Sequence, residues 1–200
     1  MGDLHRDQIE AEISGGALSV YISLPNSRTR GGVLARSRVA AKLTLAAGLA
    51  ATTAVATMMV RIPIPATSGY LNFGDIMVFT AALLFGRLVG GLAGGIGSAI
   101  ADIIGYPLFA PYTLIIKGLE GFVAGSIRDG KSSRRDLLGW LVGSIVMVSG
   151  YFLAEAYIMS LGVPAAVAEV PFNVVQVLSG AVIAIPLVRG LRNRIPKILI

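Results

Sequence analysis

From Val39 to Val60 the chain runs for 22 residues with one charge, Lys42. About 20 apolar helical residues cross the hydrocarbon core of a bilayer. Only a large soluble core could hide such a stretch in water, and the composition does not provide for one. Of 200 residues, 54% are hydrophobic and 14% charged, with a mean hydropathy of +0.76. Soluble domains carry roughly 25% charged residues, and a chain of this length cannot bury so much apolar surface in water. The bilayer is therefore the expected solvent.

The same reading continues along the chain and predicts an all-α, polytopic membrane protein with six transmembrane helices. The spans are Val39–Val60, Ile76–Phe85, Leu88–Ile104, Tyr112–Ile127, Leu137–Leu161 and Pro171–Val188. The second is short, and is expected to be tilted or only partly spanning. A Pro/Gly-rich loop, Ile62 to Tyr70, follows the first span, and Gly105 to Pro111 makes a tight turn between the third and fourth. Three segments result: a cytoplasmic N-terminal extension at 1–38, expected to be partly disordered, a membrane domain at 39–190 and a basic cytoplasmic tail at 191–200.

Lys and Arg set the orientation, because cytoplasmic loops retain them. With six helices and the N-terminus inside, every Lys and Arg except Arg61 and Lys117 falls in inner segments. Both termini are therefore expected in the cytoplasm. This asymmetry accounts for the net charge of +6, so nucleic acid is not needed to explain it; a nucleic-acid surface would interleave basic residues with stacking aromatics. There is no Cys, which removes disulfides and thiol chemistry. The one His, His5, sits in a polar tail, so neither a His-based metal site nor a catalytic triad is expected. No P-loop pattern occurs, and no ATPase activity is expected of this chain.

Ionisable groups within a membrane are costly and usually functional. At a rise of about 1.5 Å per residue, Asp102 lies roughly 21 Å, and Glu155 roughly 27 Å, above the inner ends of their helices. Lys117, Glu120, Asn173 and Gln176 fall in the outer parts of theirs, and Asn72 and Asp75 stand at the outer start of the second. The inner halves offer only small, hydroxylic or aliphatic residues. A channel needs polar groups along its whole length; this distribution predicts a pocket open to the outside above a dry plug. The candidate substrate-binding residues are Asn72, Asp75, Tyr106, Tyr112, Lys117, Tyr151, Glu155, Asn173 and Gln176. Amide side chains can read the donor–acceptor edges of a heterocycle, and tyrosines can stack on it. Structural readings compete. Asn72 and Asp75 have the spacing of a capping box, Lys117 and Glu120 are an i,i+3 pair, Asp102 is expected to pair with Lys117, and the tyrosines fit an interfacial belt.

Small residues form a stripe on the first helix, with Ala46 and Ala50, or Ala47 and Ala51, at a spacing of four. Small residues let helix backbones approach closely in lipid. Gly91, Gly94, Gly95 and Gly97 in the third helix, with Gly118, Gly121 and Gly125 in the fourth, predict tight packing of those two.

Several of these segments together resemble a known family. The run from Ile62-Pro63-Ile64-Pro65 to Asn72-Phe73-Gly74-Asp75 is similar to the first outer loop of the substrate-binding (S) components of energy-coupling factor (ECF) vitamin transporters. Phe85-Gly86, Gly97 to Asp102, Gly105-Tyr106-Pro107, Ala110-Pro111 and Leu114 to Gly121 continue the likeness, which covers about residues 40–190 and points to the riboflavin-type branch. Arg87 departs from it, standing where Pro is expected. The resemblance implies a multi-pass protein of the cell membrane that captures a vitamin or vitamin precursor, riboflavin first, from the outside. It implies docking through an Ala-x-x-x-Ala motif on a membrane T component that carries two ATPase subunits; the sequence does not choose between the Ala46/Ala50 and Ala47/Ala51 pairs. No cofactor is implied for this chain, ATP being used by the partners alone. Two alternatives stand beside it. A membrane enzyme acting on lipid or isoprenoid substrates would want clustered carboxylates, which are not seen. A stand-alone small-solute transporter would favour a repeated half, which is not seen either.

Overall fold

A computed structural model of the chain describes residues 10–14, 17–21 and 27–195, with side chains at 36, 37 and 39–195. The remaining residues of the predicted extension, His5 among them, and the end of the tail with Lys197 lie outside the described residues. The chain divides into two units, Met1–Ala40 and Ala41–Ile200. The first holds an antiparallel hairpin of β1 (Glu10–Ser14) and β2 (Ala17–Tyr21), with Glu10 opposite Tyr21 and Ser14 opposite Ala17, and the beginning of helix α1 (Ser27–Met59).

The second unit holds the rest of α1, a hairpin of β3 (Ile62–Ile64) and β4 (Gly69–Leu71), and five more helices. These are α2 (Gly74–Phe85), α3 (Arg87–Gly105), α4 (Ala110–Ile127), α5 (Ser133–Leu153) and α6 (Val163–Arg192), with a π-helical turn, Ala154–Ile158, closing α5. Among the described residues four segments are long and apolar enough to cross a membrane: Val39–Met59, Arg87–Gly105, Ser133–Ile158 and Val163–Arg192. Helix α4 has 18 residues and carries Lys117 and Glu120. Helix α2 has 12 residues, about 18 Å at 1.5 Å each, and is shorter than the hydrocarbon core. The six-helix reading holds, with the second helix short as expected.

Helix α2 is the centre of the fold. Its sequence, GDIMVFTAALLF, shows no polar face, and Val78, Phe79, Ala81, Ala82 and Leu83 are fully buried. A helix apolar all round is one that is enclosed; α3, α4, α5 and α6 all contact it. Phe79 fits because Gly180 on α6 and Gly143 on α5 face its ring. A Cβ on Gly180 would lie 2.7 Å from Phe79 Cδ2, and one on Gly143 3.1 Å from Cε1. The expected glycine packing of α3 on α4 is present. A Cβ on Gly94 would meet the Lys117 carbonyl oxygen at 2.6 Å, and one on Gly95 that of Leu114 at 2.7 Å.

Several boundaries differ from the sequence reading. The first helix begins at Ser27, upstream of the apolar run, since helix propensity does not require apolarity. The proline-rich loop contains the β3–β4 hairpin, with Pro63 opposite Tyr70; a strand at a sheet edge tolerates proline. The largest change is in α6, which begins at Val163 rather than Pro171. Gly162, at φ 88, caps its start and Pro164 occupies the first turn, the usual place for proline in a helix. Pro171 lies inside the helix. It removes one backbone donor without ending the helix, which membrane helices tolerate because neighbouring groups satisfy the freed carbonyl.

At the end away from the β3–β4 hairpin, Arg192 donates to both oxygens of Asp136 at 2.8 and 2.9 Å, tying the end of α6 to the start of α5. Arg128 donates to the carbonyls of Leu83 and Leu84 at the last turn of α2, groups that the helix itself leaves unsatisfied. In the α4–α5 loop, Asp129 accepts the N–H groups of Ser132 at 2.7 Å and Lys131 at 2.9 Å. These bonds hold its carboxyl below the usual carboxylate range.

Candidate functional site

The polar residues that the sequence scatters over five segments meet at the hairpin end. Three side-chain bonds fasten the hairpin and its exit to the helices beneath. Thr67, in the turn, donates its hydroxyl to the Glu169 carboxylate on α6. Tyr70, on β4, donates its hydroxyl to Asp102 on α3. The Asn72 N–H donates to Gln176 Oε1 on α6 at 3.0 Å. Arg61, just before β3, donates to the Ala101 carbonyl at 2.8 Å. Its guanidinium carbon lies 5.3 Å from the Tyr70 ring centroid and 5.7 Å from that of Tyr106, and the two rings stack at 4.3 Å.

Beneath the hairpin lies a polar cavity. Gly69, Tyr70 and Asn72 cover it; Thr57 of α1, Ser98 and Asp102 of α3, and Thr113 and Lys117 of α4 form one side. Phe109, Tyr151 of α5 and Glu169, Asn173 and Gln176 of α6 form the other. The space within it is about 30 Å³, room for about two waters at roughly 10–15 Å³ each. A ring-sized ligand therefore enters only if the hairpin or the walls shift.

The floor is an ion cluster. The Lys117 ammonium binds Asp75 of α2 and, at 3.0 Å, Glu120 of its own helix; all three side chains are buried. Gln176 Nε2 lies 3.3 Å from Asp75 Oδ1, so one α6 amide joins the floor to the hairpin. The hydroxyls of Thr113 and Tyr151 are 2.8 Å apart, and Lys117 Nζ is 5.9 Å from the Tyr151 ring centroid.

Among the sequence-predicted residues, Asn72, Lys117, Tyr151, Asn173 and Gln176 line the cavity. Asp75 lies beneath, against Lys117. Glu155, fully buried on the π-helical turn, lies against Glu169. Tyr106 stacks on Tyr70 and is not among the lining residues, and Tyr112 packs half-buried against the apolar core. Two expected pairings are different. Lys117 bonds Asp75 and Glu120 rather than Asp102, which instead accepts from Tyr70. No capping box forms at α2: Asn72 Oδ1 accepts the Gly74 N–H at 2.8 Å, while Asp75 turns to Lys117. On α1, Ala46 and Ala50 are buried, Ala46 among Ala81, Val89 and Ala93; Ala47 and Ala51 are exposed.

Glu169 lines the cavity but was not among the sequence candidates, and the same is true of Thr57, Tyr70, Ser98, Asp102, Phe109 and Thr113. Starting α6 at Pro171 left Glu169 in a loop. Starting the helix at Val163 places Glu169, Asn173 and Gln176, at spacings of four and three, on one helical face.

The chain is similar to a family profile, to two described proteins and to a solved structure. The family profile described as ECF-type riboflavin transporter, S component, matches residues 39–193. A Pyrococcus woesei protein described as an uncharacterized protein in a gap 3' region is 53% identical over 146 residues, 72% of this chain and 97% of that protein. The thiamine precursor transporter HmpT of Lactococcus lactis subsp. cremoris is 34% identical over 145 residues, 72% of this chain and 82% of HmpT. The solved structure of the S component of a bacterial ECF transporter shares the fold, with a TM-score of 0.62 at 20% identity, covering 76% of this chain and 96% of that one.

Proposed function

The chain belongs to the family of ECF-type riboflavin transporter S components, a multi-pass protein of the cell membrane and not an enzyme, and on that premise we propose that it captures a small vitamin-type heterocycle beneath the β3–β4 hairpin. In this reading the hairpin end faces outward and both termini are cytoplasmic, as the distribution of Lys and Arg supports. The chain performs no chemistry and holds no cofactor. It delivers its ligand through a T component powered by two ATPase subunits, docking by the exposed Ala47 and Ala51.

One observation carries the proposal: a hairpin fastened at Thr67, Tyr70 and Asn72 over a buried polar cavity. Such an arrangement can open to admit a solute and close to exclude water. The small cavity and the name of the Lactococcus relative favour a small compound of the thiamine-precursor kind. The name of the family favours riboflavin as the second reading. Purification of the full chain in detergent, followed by mass spectrometry and fluorescence of whatever is released on denaturation, separates them. A flavin supports the second reading and a thiamine precursor the first. A protein that carries and binds no vitamin-type compound overturns the capture function.

A further inference from the structure

At the end away from the β3–β4 hairpin, α1, α3 and α4 form a recess of about 470 Å³, within the roughly 300–1,000 Å³ of small-molecule sites. Three cations line it, Lys42 of α1, Arg87 at the start of α3 and Arg128 at the end of α4, and no Asp or Glu does. Among the described residues neither Lys42 nor Arg87 has a carboxylate partner. The acids of the α4–α5 loop and the start of α5 are engaged elsewhere. Asp136 accepts from Arg192, and Asp129 from two backbone N–H groups, with Arg135 beside it. Arg128 is positioned by the Leu83 and Leu84 carbonyls. Helix α3 also begins here. Its N-cap is Gly86, no side chain caps it, and its first turn holds no acid, so the positive end of the helix dipole adds to the same field.

The recess continues into an apolar groove of about 350 Å³, the two sharing Arg87 and Leu88. Leu88 and Leu92 of α3 and Ile115, Leu119 and Phe122 of α4 line the groove. From Phe122 to Ile115 it follows α4 for seven residues, about 10 Å at 1.5 Å each. The Arg87 guanidinium carbon is 5.8 Å from the Phe122 ring centroid, so this cation stands where the polar and apolar parts join. A groove of about 420 Å³ between α5 and α6 is equally apolar, but no charged residue lines it. An anionic head on a hydrocarbon tail fits the first shape and not the second, and a free phosphate ester would leave the apolar part unused. Basic pockets between membrane helices on the cytoplasmic side hold anionic lipid headgroups, and a guanidinium matches a phosphate with paired donors. We propose that Lys42, Arg87 and Arg128 bind the phosphate of an anionic phospholipid whose acyl chain lies along the α3–α4 groove. In the orientation given above, this is a lipid of the cytoplasmic leaflet. The site shares no residue with the hairpin cavity, so the inference stands apart from the capture reading.

The test uses the full chain in a neutral detergent, with native mass spectrometry and thermal unfolding, and three probes: phosphatidylglycerol, phosphatidylcholine and glycerol 1-phosphate. Phosphatidylglycerol is expected to bind at least about tenfold tighter than phosphatidylcholine, which carries no net charge, and to raise the unfolding temperature more. Glycerol 1-phosphate is expected to bind at least about 100-fold more weakly than phosphatidylglycerol, since it buries no chain. Arg87→Gln and Lys42→Gln are each expected to weaken phosphatidylglycerol about tenfold and to leave phosphatidylcholine unchanged. A Cβ on Gly118, which also lines the groove, would have its nearest neighbour at 3.7 Å. Gly118→Leu is therefore accommodated and fills the groove, and should weaken phosphatidylglycerol about tenfold. The preference between the two lipids is read on the unaltered chain, so it does not depend on any variant folding. Equal binding of the two lipids, or an intact preference in both cation variants, overturns the proposal. Glycerol 1-phosphate binding as tightly as phosphatidylglycerol overturns the lipid in favour of a free phosphate ester, and full lipid affinity in Gly118→Leu overturns the groove as the place of the chain. Cation variants that keep the lipid preference but lose ATP-dependent uptake overturn it in favour of a protein partner at the recess.

Discussion

Tyr70 on the hairpin gives its hydroxyl to Asp102 on α3, and the bond closes one side of the cavity. Tyr70→Phe keeps the ring stacked on Tyr106 and removes only this donor. A buried acceptor that loses its partner costs about 1–3 kcal/mol, here charged against the closed hairpin. Ligand dissociation from the purified protein should accelerate about tenfold, with the association rate little changed. An unaltered off-rate would show that the hairpin is held by Thr67 and Asn72 alone.

Lys117 tests whether the floor is structural or a ligand contact. Its ammonium has two carboxylate partners within the protein, and removing one member of a buried ion cluster costs about 3–5 kcal/mol. Lys117→Met should therefore lower the thermal unfolding temperature sharply, and adding Asp75→Asn and Glu120→Gln should restore much of the loss. If Lys117→Met unfolds like the wild type and only ligand affinity falls, the ammonium serves the ligand.

Gly180 is a packing constraint set by a side chain. A Cβ there would lie 2.7 Å from the Phe79 ring, which is fully buried. Gly180→Ala should destabilise by about 1–3 kcal/mol. Phe79→Leu is costly alone but should be less so beside Gly180→Ala, giving a favourable coupling in a double-mutant cycle. Additive effects would mean that the ring moves aside without cost.

What could be read from the sequence was what hydropathy and helical rise determine. Apolar length located the helices, and depth along them grouped Asn72, Lys117, Asn173 and Gln176 before any fold was known. Interhelical choice was not readable. Nothing in the sequence near Lys117 says that α2 rather than α3 presents its carboxylate, because that follows from α2 occupying the centre. Glu169 was lost to a rule that normally holds, that proline ends or begins a helix. In α6 the true start signal was Pro164, seven residues earlier than Pro171. The Ile62–Ile64 strand was hidden by its own proline, Pro63, which the edge of a two-stranded hairpin accepts.

The two alanine pairs of α1, indistinguishable by spacing, differ by burial. Ala46 and Ala50 are 2% and 4% exposed, and Ala46 packs beside Val89 and Ala93 of α3. Ala47 and Ala51 are exposed, and beside them Gly48 has no atom within 4 Å of where a Cβ would sit. Enlarging either pair disturbs a different surface. Ala47→Leu with Ala51→Leu should leave ligand affinity and unfolding temperature within error while abolishing ATP-dependent uptake in cells that supply the T component and its ATPases. Ala46→Leu with Ala50→Leu should instead overpack the α1–α3 contact, at about 1–3 kcal/mol each, and lower the unfolding temperature of the isolated chain. Full uptake by the Ala47/Ala51 variant would move the docking face elsewhere. Loss of ligand affinity in that variant would mean that α1 shapes the cavity through Thr57 rather than meeting a partner.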